Sequence, residues 1–331
     1  MAKPAPFRAK GSTSSGTPLT TKKNAGFSGV DILLLTVVFI WGGNFGVIKQ
    51  AFEYAHPMVF ATLRFAFATL IVFPLVYFRE GGVRLGSRRD FLWCILLGVF
   101  SGLDQVLFMT GLKYTTSAKS AILFAVSPIF VTIISALRGD RMTLKIVAGI
   151  LLSFAGVFVI IYPFGQGGSL TLDSGQLVGD LLVLAATLFW GLYVAYGPVV
   201  LGRHSSLKVT AYAFLWTTPV VALAGLNHIG DLATISTLPT GFWLPLTYSV
   251  LLAGVVSFVF WYQGVASIGP VKVMLYQYLV PVVASLLAYA VWGEPITWVQ
   301  ISGAVVVFAG IALARMERIA RPTPSISRPG L

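Results

Sequence analysis

Apolar residues dominate this chain in about ten blocks of roughly 20, the length that crosses a bilayer as a helix, with Gly, Pro and charged residues as punctuation. No block alternates apolar with polar, so helices rather than strands are expected. Spans are predicted near 30–50, 57–78, 90–112, 115–137 and 143–162, then near 175–197, 206–226, 241–265, 270–292 and 296–315. The predicted fold is therefore an all-α polytopic membrane protein with ten transmembrane helices.

Composition agrees: 56% of the 331 residues are apolar, only 10% are charged, and the mean hydropathy is +0.86. The net charge of +12 could point to nucleic acid, but the basic residues lie in loops and tails without interleaved aromatics. With the amino terminus placed inside, nineteen of the 23 Lys and Arg residues fall in inside segments and only Lys49, Lys113 and Lys119 fall outside. That imbalance predicts both termini in the cytoplasm. Residues 1–28, rich in Lys, Ser, Thr, Gly and Pro, read as a disordered tail rather than a signal peptide, and residues 316–331 as a second cytoplasmic tail.

The chain repeats itself. Asp31, Trp41 and Gly42 recur at one constant offset as Asp180, Trp190 and Gly191; Gly111, Lys119 and Pro128 recur as Gly264, Lys272 and Pro281; Gly149 and Gly156 recur as Gly303 and Gly310. Two repeats are expected, over 29–163 and 174–315. A unit of five spans is odd, so the second copy must enter the membrane from the opposite side, and inverted repeats follow by counting.

These residues resemble the drug/metabolite transporter superfamily, EamA-like branch. The resemblance rests on Trp41-Gly42-Gly43-Asn44-Phe45 with Lys49, Arg64-Phe65, Gly111 to Thr115, Ser127-Pro128-Ile129-Phe130 and Gly139-Asp140, and on their second-half counterparts Trp190-Gly191, Val280-Pro281, Gly293-Glu294-Pro295 and Gly303 to Gly310. It implies a ten-helix carrier of the bacterial inner membrane that exports amino acids or related metabolites, with the bilayer and a small-molecule substrate as its partners. The sequence departs from the family pattern in carrying Asp140 for the usual Glu and Ala213 at the second-half counterpart of Arg64.

Chemistry-bearing motifs point away from catalysis. No His-Glu-x-x-His, Gly-x-Ser-x-Gly or paired carboxylates occur, and the one cysteine, Cys94, sits in an apolar run, so no enzyme, metal site or cofactor is expected. Asp31 and Asp180 stand near span entrances, where capping is the expected role.

Arg64 and Asp104 lie deep inside apolar runs, at matching estimated depths, where each charge costs about 3 kcal/mol on insertion scales. They are expected to pair, or Asp104 to serve coupling. Trp41, Asn44, Gln105, Trp190, Tyr193, Tyr276 and Gln277 are the candidate lining of a central cavity, and Pro128 and Pro281 the candidate hinges. The expected function is secondary transport of a small amphipathic metabolite, such as an aromatic or hydrophobic amino acid, by alternating access. Exchange of phosphorylated or nucleotide-linked sugars, a channel-like protein or a membrane receptor remain the alternatives, and coupling to a proton or counter-substrate stays open.

Overall fold

The computed structural model describes residues 28–115, 120, 123–140, 142–161, 174–228, 230, 237–292 and 298–315. The two predicted tails, Lys119 and the Gly293-Glu294-Pro295 turn lie outside the described residues. Among the described residues there is no strand. Helices α1 (Gly29–Ala51), α2 (Pro57–Glu80) and α3 (Arg88–Tyr114) are followed by α4 (Ser127–Leu137) and α5 (Leu144–Ile161). The second half holds α6 (Ser174–Tyr196), a short helix Pro198–Leu201, and α7 (Ser206–Ala224). Next comes α8, which runs over Thr240–Ile268 with its middle, Ser249–Val256, wound as a π-helix. Then follow α9 (Pro270–Gln277), α10 (Leu279–Trp292) and α11 (Trp298–Arg315).

Among the described residues six helices are long and apolar enough to cross a membrane: Gly29–Ala51, Pro57–Glu80, Arg88–Tyr114, Leu177–Leu201, Ser206–Ala224 and Thr240–Ile268. Ser127–Leu137, Leu144–Val159, Pro270–Ala284 and Ile301–Ala314 are shorter apolar helices. Large apolar side chains such as Leu70, Phe78, Leu137, Leu244 and Trp298 point outward, as lipid-facing surfaces require and water-facing ones do not tolerate in such number.

Helix ends follow local chemistry. Asp31 accepts from the Ser28 backbone N–H at 2.6 Å and Ser87 from Arg89 N–H at 3.2 Å, while Gly81, with φ of +68°, ends α2 in the left-handed region that side chains avoid. Asp180 is different: it lies two turns inside α6 and accepts from Thr115, the residue that ends α3, so it ties two helices instead of capping one.

The halves are interleaved. The first half's α3 packs on α6 and α7 of the second, while α1 packs on α8 and α10, and α2 packs on α7 and the π segment of α8. The most extensive crossing is α5 on α11, through the repeated glycines. A Cβ on Gly149 would lie 2.6 Å from the Gly310 carbonyl oxygen, and one on Gly156 would lie 2.7 Å from that of Gly303. In a bilayer no hydrophobic force drives helices together, so small residues that let backbones touch supply the attraction. We expect Gly156→Ala to cost about 1–3 kcal/mol through overpacking, read as a lowered thermal midpoint in detergent. Gly82→Ala, at a glycine with open space around its Cβ direction, should leave the midpoint unchanged. Equal midpoints for both variants would show that the crossing is not tight.

Candidate functional site

At mid-depth the two halves enclose a cavity of about 90 Å³, and it is lined from seven helices and the stretch before α4. Helix α1 presents Trp41, Asn44, Phe45 and Ile48, four residues at helical spacing on one face. Around them stand Arg64 of α2, Asp104, Gln105 and Phe108 of α3, Phe124 and Ala125 before α4, Trp190 of α6, Phe258 of α8, Gln277 of α9, and Val280 and Pro281 of α10.

The motif Trp41-Gly42-Gly43-Asn44 places this wall. Gly42 lets α1 approach α10, where a Cβ would meet Val283 Cγ1 at 3.0 Å, and Gly43 leaves room for the Tyr248 hydroxyl, which donates to the Ile40 carbonyl at 2.8 Å. The π segment clasps the same turn: Ser249 donates to Asn44 Oδ1 at 2.9 Å, and the Trp41 indole donates to the Ala253 carbonyl at 3.1 Å. Five-residue winding shifts carbonyls out of the regular ladder and leaves them to accept side-chain donors, a recurrent feature of functional sites. Arg64 Nη2 lies 3.5 Å from that same Ala253 oxygen.

The repeated tryptophans meet. Trp41 and Trp190 make an edge contact with centroids 5.5 Å apart, and Trp261 and Phe258 complete the cluster. From this floor an aromatic ladder leads away from the cavity, Trp190 stacking on Tyr193 at 5.4 Å and Tyr193 on Tyr262 at 4.8 Å. Tyr193 thus lies behind Trp190 and does not line the cavity. Neither does Tyr276, whose hydroxyl donates to Asp31. Gln277 does line it, and its carbonyl accepts from the Trp190 indole at 3.0 Å.

Pro128 and Pro281 each follow a break in their helix, at Ala125–Val126 and at Tyr278. A proline has no N–H to offer and its ring crowds the carbonyl one turn back. The Phe124 carbonyl accepts instead from the Ser127 hydroxyl at 2.7 Å. Pro281 touches the cavity and Pro128 does not, but Phe124 and Ala125, beside the first break, are in its wall.

Arg64 and Asp104 share the cavity at 4% and 1% exposure, yet the expected direct pair is not made, since no ion pair within 4.0 Å joins them. The reason lies in their neighbours. Arg64 reaches to the π segment, and Asp104 Oδ2 accepts from the Gln105 amide at 2.8 Å. Arg64 Nε, Asp104 Oδ1 and Gln105 Oε1 are buried without hydrogen-bond partners.

Beyond the ladder, the turns that join α2 to α3 and α6 to α7 are bound by charge. Asp90 accepts from the Arg203 guanidinium through both oxygens and lies 2.9 Å from His204 Nε2, while Glu80 pairs with Lys208 at 3.2 Å and accepts from Ser205. At the opposite end His56 and His228 stack with centroids 3.5 Å apart. Neither ion cluster nor histidine stack was singled out from the sequence. Their partners are distant in the chain, and only an assignment of which turns share an end of the molecule could have found them.

Among the described residues no group of His, Cys, Asp and Glu could hold a metal ion. Apolar helices around an interior cavity with a few polar and charged groups in its wall are the architecture a membrane transporter uses. The sequence profile of the EamA-like transporter family matches residues 28–162 and again 177–316, and the chain belongs to that family, within the drug/metabolite transporter superfamily. It is similar to "Uncharacterized transporter YyaM" of Bacillus subtilis, 29% identical over 86% of this chain and 92% of that one. It is 27% identical to the "Probable amino-acid metabolite efflux pump" of Salmonella typhimurium, over 87% of this chain and 97% of that one. The "Probable terminal-alkyne amino-acid exporter" of Streptantibioticus cattleyicolor is also 27% identical, over 87% and 94%. One solved crystal structure, 18% identical, shares the fold with a TM-score of 0.68 over 88% of this chain and 98% of its own.

Removing the shared anion at the charged turns tests their role. Asp90→Asn should lower the thermal midpoint by a few degrees by leaving Arg203 and His204 without their carboxylate, and Asp90→Glu should restore part of the loss. A midpoint unchanged by either substitution would show that this cluster does not hold the turns together.

Proposed function

We propose that this chain is a secondary transporter, working as an exporter, of small amphipathic metabolites of the amino-acid kind. It would act by alternating access between two inverted five-helix repeats, with ten spans in all and with both termini and the charged turns in the cytoplasm of a bacterial cell. The observation that carries this reading is a mid-depth cavity walled by both halves, with the repeat-related Trp41 and Trp190 in contact in its floor. Inverted repeats give two near-equivalent arrangements around one site, which is what alternating access needs.

Other features support it. The broken helices before Pro128 and Pro281 border the cavity, as discontinuous helices do in carriers, and the exchange of contacts between halves is what a two-fold pseudo-axis would produce. With both termini in the cytoplasm, the lining runs from Trp41 to Ile48 on α1 and from Asp104 to Phe108 on α3, toward the outer ends of these helices, while the aromatic ladder and the Asp90 and Glu80 ion pairs lie on the other side. This is the arrangement of a carrier open to the outside and sealed toward the cytoplasm. Names of relatives as amino-acid exporters agree with the amphipathic lining.

Exchange of phosphorylated sugars fits less well, because phosphate calls for several cations and Arg64 is the one Lys or Arg among the described lining residues. A channel would have to pass the stacked Trp190, Tyr193 and Tyr262.

Counterflow in proteoliposomes tests the proposal. Internal unlabelled amino acid should accelerate entry of the labelled compound, the rate should saturate, and Trp41→Ala should abolish the acceleration while the protein still reconstitutes. Uptake that never saturates and ignores internal solute would refute a carrier.

A further inference from the structure

We infer that the cavity is a two-charge site for a zwitterion, in which the Asp104 carboxylate receives an ammonium group and the Arg64 guanidinium a carboxylate. This rests on the transport reading and adds the chemical class of the ligand and the residues that recognise its ends.

The first observation is the burial of two opposite charges in the wall of one cavity, at 1% and 4% exposure, inside membrane-spanning helices. Such charges are costly, and the cheapest way to hold them is to pair them directly. They are not paired. They lie farther apart than 4.0 Å in the wall of one cavity.

The second observation is that neither is satisfied by the protein. Asp104 spends one oxygen on Gln105 and leaves Oδ1 without a partner, and Arg64 makes one long bond to the Ala253 carbonyl and leaves Nε without one. A buried, unpartnered charged atom is the strongest demand a site can make on a ligand. The demands have opposite sign, so the ligand that meets both carries an ammonium and a carboxylate a few ångströms apart, as an α-amino acid does.

Neighbouring groups hold the two charges separate. The Ala253 carbonyl that takes Arg64 is presented by the π segment and also accepts from the Trp41 indole. On α3, Gln105 turns its amide to Asp104, and its own Oε1 is left unpartnered as a further acceptor for an ammonium. The rest of the wall, Phe45, Phe108, Phe124 and Phe258, suits an aromatic or large aliphatic side chain.

Binding to the purified wild-type protein decides it, using L-phenylalanine, N-acetyl-L-phenylalanine and L-phenylalaninamide as probes, followed by calorimetry. The acetylated and amidated compounds each lack one charge, and each should bind at least about tenfold more weakly than the amino acid. Asp104→Asn should erase the penalty for acetylation and keep that for amidation; Arg64→Gln should do the reverse. A ligand-free thermal midpoint shows whether each variant is folded, and the wild-type series stands without them. Equal affinities for all three probes, or no binding of the amino acid, would overturn the assignment. Counterflow of a solute that is not a zwitterion would leave the transport reading intact while the charge assignment fell.

Discussion

A charge inside a bilayer must be given a polar environment by the protein itself, and the architecture of this molecule is organised around two such charges. Lipid offers neither water nor counter-ion, so Arg64 and Asp104 have to face inward. Once they do, helices α2 and α3 are committed to one interior. The π segment of α8 supplies a carbonyl for Arg64, and α1 must come close enough for Trp41 to share that carbonyl. Gly42 and Gly43 make the approach feasible by leaving α10 and Tyr248 their space. The polar demand therefore fixes which faces of four helices meet, and the apolar remainder is free to face lipid.

The same interior carries the functional asymmetry. Each half contributes a tryptophan to the floor and a proline break near the wall, but Arg64 has no counterpart, since Ala213 stands at the equivalent place and is fully buried. Asp104 and Gln105 also come from the first half. On the proposed reading, the frame is shared between the two halves while the recognition groups Arg64, Asp104 and Gln105 come from the first. Such a division lets the frame rearrange between two related packings as the recognition groups stay on one set of helices.

Much of this was legible in the residues, and the pattern of what was missed has a physical basis. Trp41, Asn44, Gln105, Trp190, Gln277, Arg64, Asp104 and Pro281 stand in the cavity wall because a polar group, a tryptophan or a proline inside an apolar run is conspicuous. Phe108, Phe124, Phe258 and Val280 could not be picked out, since an apolar side chain facing a cavity looks the same as one facing lipid or a neighbouring helix. Helical spacing would have found Phe45 and Ile48, one and two turns beyond Trp41. Tyr193 and Tyr276 are conspicuous as tyrosines inside apolar spans, yet Tyr193 stacks behind Trp190 and Tyr276 turns to Asp31, so neither reaches the wall. Matching depth brings Arg64 and Asp104 to one cavity wall, but depth cannot reveal lateral distance, and each makes its hydrogen bond elsewhere, Arg64 with the Ala253 carbonyl and Asp104 with Gln105. The ion pairs of Asp90 and Glu80 join turns far apart in the chain, which no local pattern records.

Sidedness of access tests the central claim that one cavity is reached alternately from two ends. Phe45 lies in the cavity wall and Tyr193 in the ladder beneath its floor, so Phe45→Cys and Tyr193→Cys, in a transport-active background with Cys94 replaced by Ala, report the two paths. Impermeant thiol reagents are applied to either face of oriented vesicles, with and without a transported amino acid. The account predicts that Phe45→Cys reacts from outside and Tyr193→Cys from the cytoplasmic face, with one reactivity rising as the other falls when substrate is added. Rates that rise and fall together, or a ladder cysteine that never reacts while transport continues, would contradict it.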